Sequence, residues 1–243
     1  YEIEKKDGSG KRPTTVKDAK KLGLLPSVTE IMKVLPKPAL IRWMNKQVLM
    51  AALTLTRNEG ESDEAYIDRI MYDAEDHSRQ AREKGTAIHG AIEKWLVGWV
   101  PSDEAFWPYL DGFRDAMHNY LPLADFDYFE SEKSFASPLG YGGKVDLHHR
   151  KLNIVADIKT SEFDENKALG YPEHIIQLEA YRHGLGMPDA RMLNIYISTS
   201  VPGLVRIVEH VKNDGHWEIF LACLEFYRKI KKFPLDYNKR EGL

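Results

Sequence analysis

Hydrophobic and polar positions divide this chain into a helical front and a strand-rich back. Ser27-Val28-Thr29-Glu30 follows Pro26 as a capping-box pattern and predicts a helix ending near Pro36. A second helix opens around Pro38, with proline near its N-terminus, and runs through Ile41, Trp43, Met44 and Val48. Residues 57–84 are acidic and helical in propensity. Gly85-Thr86 then reads as the start of an amphipathic helix whose apolar stripe is Ile88, Ile92, Trp95, Leu96 and Trp99. A further helix covers about 103–121.

From Asp125 the period changes to two. Strands are predicted over roughly 126–136, 141–149 and 153–160, then a helix from Pro172 to about 185. Strands over 191–200 and 204–210 and a final amphipathic helix over 214–232 complete the chain. This order predicts an α/β fold: a central mixed β-sheet flanked by helices, with a helical N-terminal region. Residues 1–25 read as a loosely ordered basic segment. Residues 26–243 read as a single domain, helical over 26–122 and sheet-based over 123–243.

The pairing of the strands at 141–149 and 153–160 can be worked out from their alternation. With a turn at Lys151-Leu152, Arg150 meets Asn153 and Asp146 lies opposite Asp157. Val145 and Leu147 then share a face with Ile154, Ala156 and Ile158, and the acids share the other. A one-residue slip would separate the acids. Asp157 and Lys159 project together because residues two apart in a strand face the same way. Like charges placed opposite one another are destabilising unless something positive sits between them. Two carboxylates and an ammonium on one surface are the parts that hold a divalent cation and position a water for phosphodiester hydrolysis. The alternative is a solvated hairpin face on which Lys159 offsets the two acids.

Composition narrows the setting. The chain has 243 residues, 43% of them hydrophobic, enough for a sizeable core. No apolar run is long enough to span a bilayer and nothing reads as a signal peptide, so an intracellular, cytoplasmic protein without a membrane partner is expected. Cys223 is the only cysteine, which excludes an internal disulfide and a four-cysteine metal cluster; it lies in an apolar stripe and reads as core. The net charge of −3 hides an asymmetry: residues 1–50 carry 11 Lys/Arg against 5 Asp/Glu, and residues 51–82 carry 4 against 8. Residues 226–243 carry 6 against 2, so a basic surface forms if the two ends converge. Ordinary solvated faces are the plainer reading of such charge runs.

Two helical pairs surround the hairpin. His89 and Glu93 are four residues apart on one helix side, as are Gln177 and Tyr181. Each pair also has a packing explanation, since a histidine at the margin of an apolar stripe is commonly structural.

Taken in order, Gly85-Thr86-Ala87-Ile88-His89, Glu132 before Ser134-Phe135, Gly142-Gly143-Lys144-Val145-Asp146, Asp157-Ile158-Lys159 and Gln177-x-x-x-Tyr181 resemble the RecB-type and phage exonuclease branch of the PD-(D/E)XK nucleases. The helices opening at Ser27-Val28-Thr29 and Pro38-Ala39-Leu40 are similar to the front end of phage-type exonucleases and of the mitochondrial genome-maintenance exonuclease. The resemblance spans about residues 26–235 and implies a restriction-endonuclease-like core. It implies that His89, Asp146, Asp157 and the backbone carbonyl of Ile158 bind Mg2+ or Mn2+. It also implies that Lys159 orients or deprotonates the attacking water, and that Gln177 and Tyr181 support the site. Glu93 has no role in it beyond a possible additional one at the metal. The second acid is Asp157 where many members have glutamate.

The activity so implied is that of a metal-dependent DNA exonuclease releasing 5′-phosphates in phage-type recombination, repair or replication, in a bacterial or phage-infected cell. Its partners would be DNA, as linear single- or double-stranded ends, and a single-strand annealing or replication protein. Trp43, Trp95, Trp99 and Trp107 are candidates for stacking on bases. The alternatives are a structure-specific or restriction-type endonuclease of the same superfamily, and a catalytically silent DNA-binding protein. No Gly-x-x-x-x-Gly-Lys-Ser/Thr is present, which excludes a P-loop ATPase.

Overall fold

The computed structural model describes residues 2–5, 8–121 and 128–233. The predicted strand start at 126–127 and the C-terminal residues from 234 onward lie outside them. Five strands form one sheet in sequential order: β3 (Glu130–Ser137), β4 (Tyr141–His149), β5 (Ile154–Ser161), β6 (Arg191–Ser198) and β7 (Val205–His210). Only β5 and β6 run parallel. Parallel neighbours need a long crossover, supplied here by helix α6 (Pro172–Gly184).

Alternation along the strands separates two cores. Ile154, Ala156 and Ile158 of β5 and Leu193, Ile195 and Ile197 of β6 face helices α4 (Asp63–Leu96) and α5 (Trp107–Tyr120). On the other face Val155 and Met192 pack with α2 (Val28–Ile31), α6 and α7 (Asp214–Lys231). Cys223 belongs to this second core, as its apolar stripe predicts. Asp157, Lys159 and Asn194 alternate with the first set, so they lie on the α6 side.

The hairpin register follows the prediction. Leu147 pairs with Ala156, His148 with Val155 and His149 with Ile154. Asn153 N–H donates to the Arg150 carbonyl across Lys151-Leu152 at 3.2 Å. Asn153 itself is not in the strand. It turns the corner at φ 52°, a left-handed conformation that asparagine tolerates.

The expected sharing of one face by Val145 and Leu147 does not hold. Val145 packs in the α6 core and Leu147 in the α4 core. Between them Asp146 pairs with neither neighbour: β3–β4 pairing passes from Ser131–Leu147 to Lys133–Val145, and the β4–β5 ladder stops at Leu147–Ala156. Opposite the gap Glu132 takes φ 57°. Strand β4 changes facing at Asp146, which frees that residue from the ladder.

The helical front differs from expectation in three places. Ser27 caps α2 by accepting from Glu30 N–H, but Glu30 pairs with Lys33 instead of closing the capping box, and the turn passes into a 3-10 segment over Met32–Val34. The N-terminal segment carries a small hairpin, β1 (Glu2–Glu4) with β2 (Lys11–Pro13), and a helix α1 (Val16–Leu22) closed by a Thr15 capping box. Gly85 does not open a helix; it lies inside the 34-residue α4. A Cβ there would meet Thr160 Oγ1 at 2.6 Å. Glycine at this position lets α4 approach the end of β5, a tertiary reason that reads in sequence as a helix start.

Helix α4 thus has two jobs. Its second half, through Ile88 and Ile92, covers the sheet. Its first half pairs with α3 (Pro38–Thr54) through a small cluster of Ala51, Ile70 and Ala74. Among the described residues no helix is long and apolar enough to cross a membrane.

Candidate functional site

The residues singled out in sequence meet where the β4–β5 ladder opens. Freed from strand pairing, Asp146 Oδ2 accepts from the backbone N–H of Ile158 at 2.7 Å and contacts His89 Nε2 at 3.1 Å. The second bond links β4 to α4. On its other side His89 Nδ1 lies 2.5 Å from Glu93 Oε1. Glu93 therefore has a defined position: it fixes the imidazole ring through the nitrogen that faces away from Asp146.

A second run of contacts lies on the α6 face. Lys159 Nζ is 2.6 Å from Asp157 Oδ2 and donates to Gln177 Oε1 at 3.0 Å. Gln177 Nε2 in turn donates to the Tyr181 hydroxyl at 2.7 Å. The i, i+4 spacing on α6 makes this possible, and the Tyr181 ring packs edge-on against Phe135. Gly143 belongs to the same packing, since a Cβ there would sit 2.7 Å from the Phe135 ring.

Two contributors were not singled out in sequence. Asn194 Nδ2 donates to Asp157 Oδ2 at 3.0 Å, and Asn194 Oδ1 lies 2.7 Å from His210 Nε2. The parallel register that sets Asp157 beside Asn194 creates this contact. Its signal was present, as Asn194 is an amide in the otherwise apolar run Met192–Ile197. Glu132 takes no part: it forms an ion pair with Lys144. Trp95 packs edge-on against Phe113 in the core, and Trp99 lies under Lys94.

Electrostatics follow from burial. Asp157 is buried, at 1% exposure. Burial pushes its pKa up to about 6; Lys159 pulls against this and nearby Asp146 adds to it. Burial of His89 opposes its charged form, but the Asp146 hydrogen bond and the charges of Asp146, Glu93 and Asp157 outweigh that, and its pKa is raised. Burial drives the Tyr181 phenol upward, with Asp157 adding to the effect, so it stays protonated. Three acids thus face one lysine and one histidine.

His89 and Asp146 are hydrogen-bonded, while Asp157 is held by Asn194 and Lys159; among the described residues no group of three or more His, Cys, Asp or Glu side chains is arranged as a ready-made metal cage. Their chemistry nevertheless fits a divalent ion. Carboxylate oxygens and an imidazole are donors for Mg2+ or Mn2+. The buried, under-compensated Asp157 charge favours a cation. A carboxylate on the far nitrogen, as Glu93 provides, is how proteins orient a metal-binding imidazole.

No family model and no curated protein matches this sequence. Among solved structures the chain has a weak likeness to the crystal structure of SSO0001, with 14% identity over 85% of this chain and 93% of that one. The TM-score of 0.36 is too low to carry a conclusion. The fold stands as α/β with a five-stranded mixed sheet.

Proposed function

We propose that this chain is a divalent-metal-dependent deoxyribonuclease with a PD-(D/E)XK core, acting as an exonuclease on linear DNA. The observation that carries the reading is the meeting of Asp146, Asp157, Lys159 and Gln177 at the one place where the central ladder opens. A solvated hairpin face would not bury Asp157 or clamp Lys159 between two partners. Asp146, Asp157, His89 and the Ile158 carbonyl would hold the ion. Bound there, Mg2+ or Mn2+ supplies Lewis acidity and lowers the pKa of a coordinated water.

The chain's own groups do the positioning. Lys159 Nζ, fixed by Asp157 and Gln177, presents an ammonium donor to a phosphate oxygen and to the attacking water. Tyr181 holds the Gln177 amide so that its oxygen faces the lysine. Asn194 steadies Asp157. Glu93 sets the His89 ring. A role in recombination, repair or replication inside a cell, alongside a single-strand annealing or replication protein, belongs to the same reading.

The test is degradation of end-labelled linear and closed circular DNA, single- and double-stranded, with Mg2+, Mn2+ or EDTA. Metal-dependent loss of linear DNA alone supports the exonuclease. Nicked circles would make it an endonuclease of the same superfamily. DNA binding without cleavage in either metal would leave a silent binding protein and end the nuclease reading.

A further inference from the structure

Helix α3 is unusually bare. Of its 17 residues only Ala51 is buried, against α4. Leu40, one turn before Trp43, and Met44, next to it, are each about half exposed. Beneath them a cavity of about 500 Å3 runs between α3, the α4 turns bearing Ser78 and Arg82, and the end of β5 at Thr160-Ser161. A second cavity, of about 520 Å3, lies on the other side of Trp43, beside Arg42, Lys46 and Tyr171. Trp43 and Lys167 line both, so the two form one groove.

The charge of that groove is mostly positive. The side chains of Arg42, Lys46 and Arg82 have no hydrogen-bond or ion-pair partner among the described residues. Lys167 joins them, its ammonium bound to the Glu162 carbonyl. Glu162 is the single acid in either wall. Unpaired cations around an aromatic and apolar strip match a polyanion that exposes flat apolar faces. A single-stranded nucleic acid does so, whereas a duplex turns its base faces inward.

The groove also leads to the catalytic cluster. Thr160 follows Lys159 directly along β5. On α4, Arg82, Gly85 and His89 lie on successive turns of one side, so Arg82 and His89 are about 10 Å apart along the axis. That is about three nucleotide steps at B-form spacing.

We propose that the α3 groove binds a single nucleic-acid strand, with a base stacked on Trp43 and phosphates on Arg42, Lys46, Arg82 and Lys167, and delivers it to the cluster at Asp157 and Lys159. This deepens the nuclease reading and rests on it for the word "delivers". The binding itself is separable from cleavage and is tested apart from it.

The measurement is fluorescence anisotropy of a labelled 20-mer of dT, and of a 20-base-pair duplex, with the whole chain in EDTA over a range of salt. The strand should bind at least tenfold more tightly than the duplex. Trp43→Ala should weaken strand binding about 5- to 150-fold, the value of one base–aromatic stack, while Trp43→Phe keeps most of it. Arg42→Ala with Lys46→Ala should lower the salt slope by about 1.4, at roughly 0.7 per phosphate contact on a single strand. Trp43 is only half-buried on a helix that buries Ala51 alone, so these variants should fold, which circular dichroism checks.

Duplex bound as tightly as the strand would overturn the proposal, as would strand binding indifferent to Trp43 and to the two cations. Neither nucleic acid binding would overturn it too and would turn the groove over to a protein partner or a second copy of this chain. Strand binding without metal-dependent cleavage would leave the groove standing and defeat the nuclease reading. Cleavage with no effect of Trp43→Ala on binding would do the reverse.

Discussion

Asp157→Asn should make the metal-free protein more stable at neutral pH, although it removes one half of an ion pair. The residue is 1% exposed, and its pKa stands at about 6 against an ordinary 3.8, with Lys159 already counted. At about 1.4 kcal/mol for each tenfold change in proton affinity, charging Asp157 costs the folded state about 3 kcal/mol. The sign follows from proton binding. Because the folded pKa lies above the unfolded one, the folded chain keeps its proton between about pH 4 and 6 while the unfolded chain has lost it. Stability therefore falls as pH rises through that window, and the full penalty applies above it. Asparagine mimics the neutral acid: its amide oxygen can take the Oδ2 position and accept from Asn194 and Lys159. Urea or thermal denaturation in EDTA should show the variant ahead by about 3 kcal/mol at pH 7.5. That is roughly 2–4 °C per kcal/mol for a chain of this size. Near pH 4 the lead should vanish. A variant no more stable than wild type at pH 7.5, or a lead that persists unchanged at pH 4, would refute the assignment of Asp157 as a buried, under-compensated carboxylate.

Three further outcomes are expected. Lys159→Ala should reduce DNA cleavage by about 10²- to 10⁴-fold, the usual worth of a positioned proton-transfer group, with an unchanged circular dichroism spectrum; near-normal turnover would remove the lysine from the mechanism. His89→Ala and Glu93→Ala should each weaken Mn2+ binding measured by calorimetry, the latter by about 10- to 100-fold, while the melting temperature changes little; a large melting drop with intact Mn2+ affinity would make the pair structural. Gly85→Ala should lose about 1 kcal/mol in denaturant melts, because crowding against Thr160 costs about 1–3 kcal/mol and outweighs a helix gain of roughly 1 kcal/mol. Combining it with Thr160→Ala should restore the loss, and no recovery would show that the strain lies elsewhere.

Local rules carried the sheet half of the molecule. Alternation and the Lys151-Leu152 turn were enough for the β4–β5 register, because a slip of one residue would move every apolar side chain to the wrong face. The Pro172 start of α6 and the i, i+4 relation of Gln177 to Tyr181 were equally local. The change of facing at Asp146 was not legible, since Val145 and Leu147 keep a regular pattern through it. Gly85 misled in the opposite way, as a helix-opening residue that in fact admits Thr160. Asn194 carried a sequence signal, an amide among apolar neighbours, without showing which acid it served.

The sequence by itself determined which elements form and which chemistry each carries: acids and a lysine on one strand hairpin, a histidine with a glutamate on one helix, a glutamine with a tyrosine on another. Those are matters of period and propensity, decided within a few residues. Only the tertiary structure decided that they meet. The opening of the ladder at Asp146, the closeness of α4 to β5 at Gly85 and the burial that lifts the Asp157 pKa all depend on long-range packing. So does the bare groove under α3, whose walls come from segments more than a hundred residues apart and leave no periodic mark on any of them.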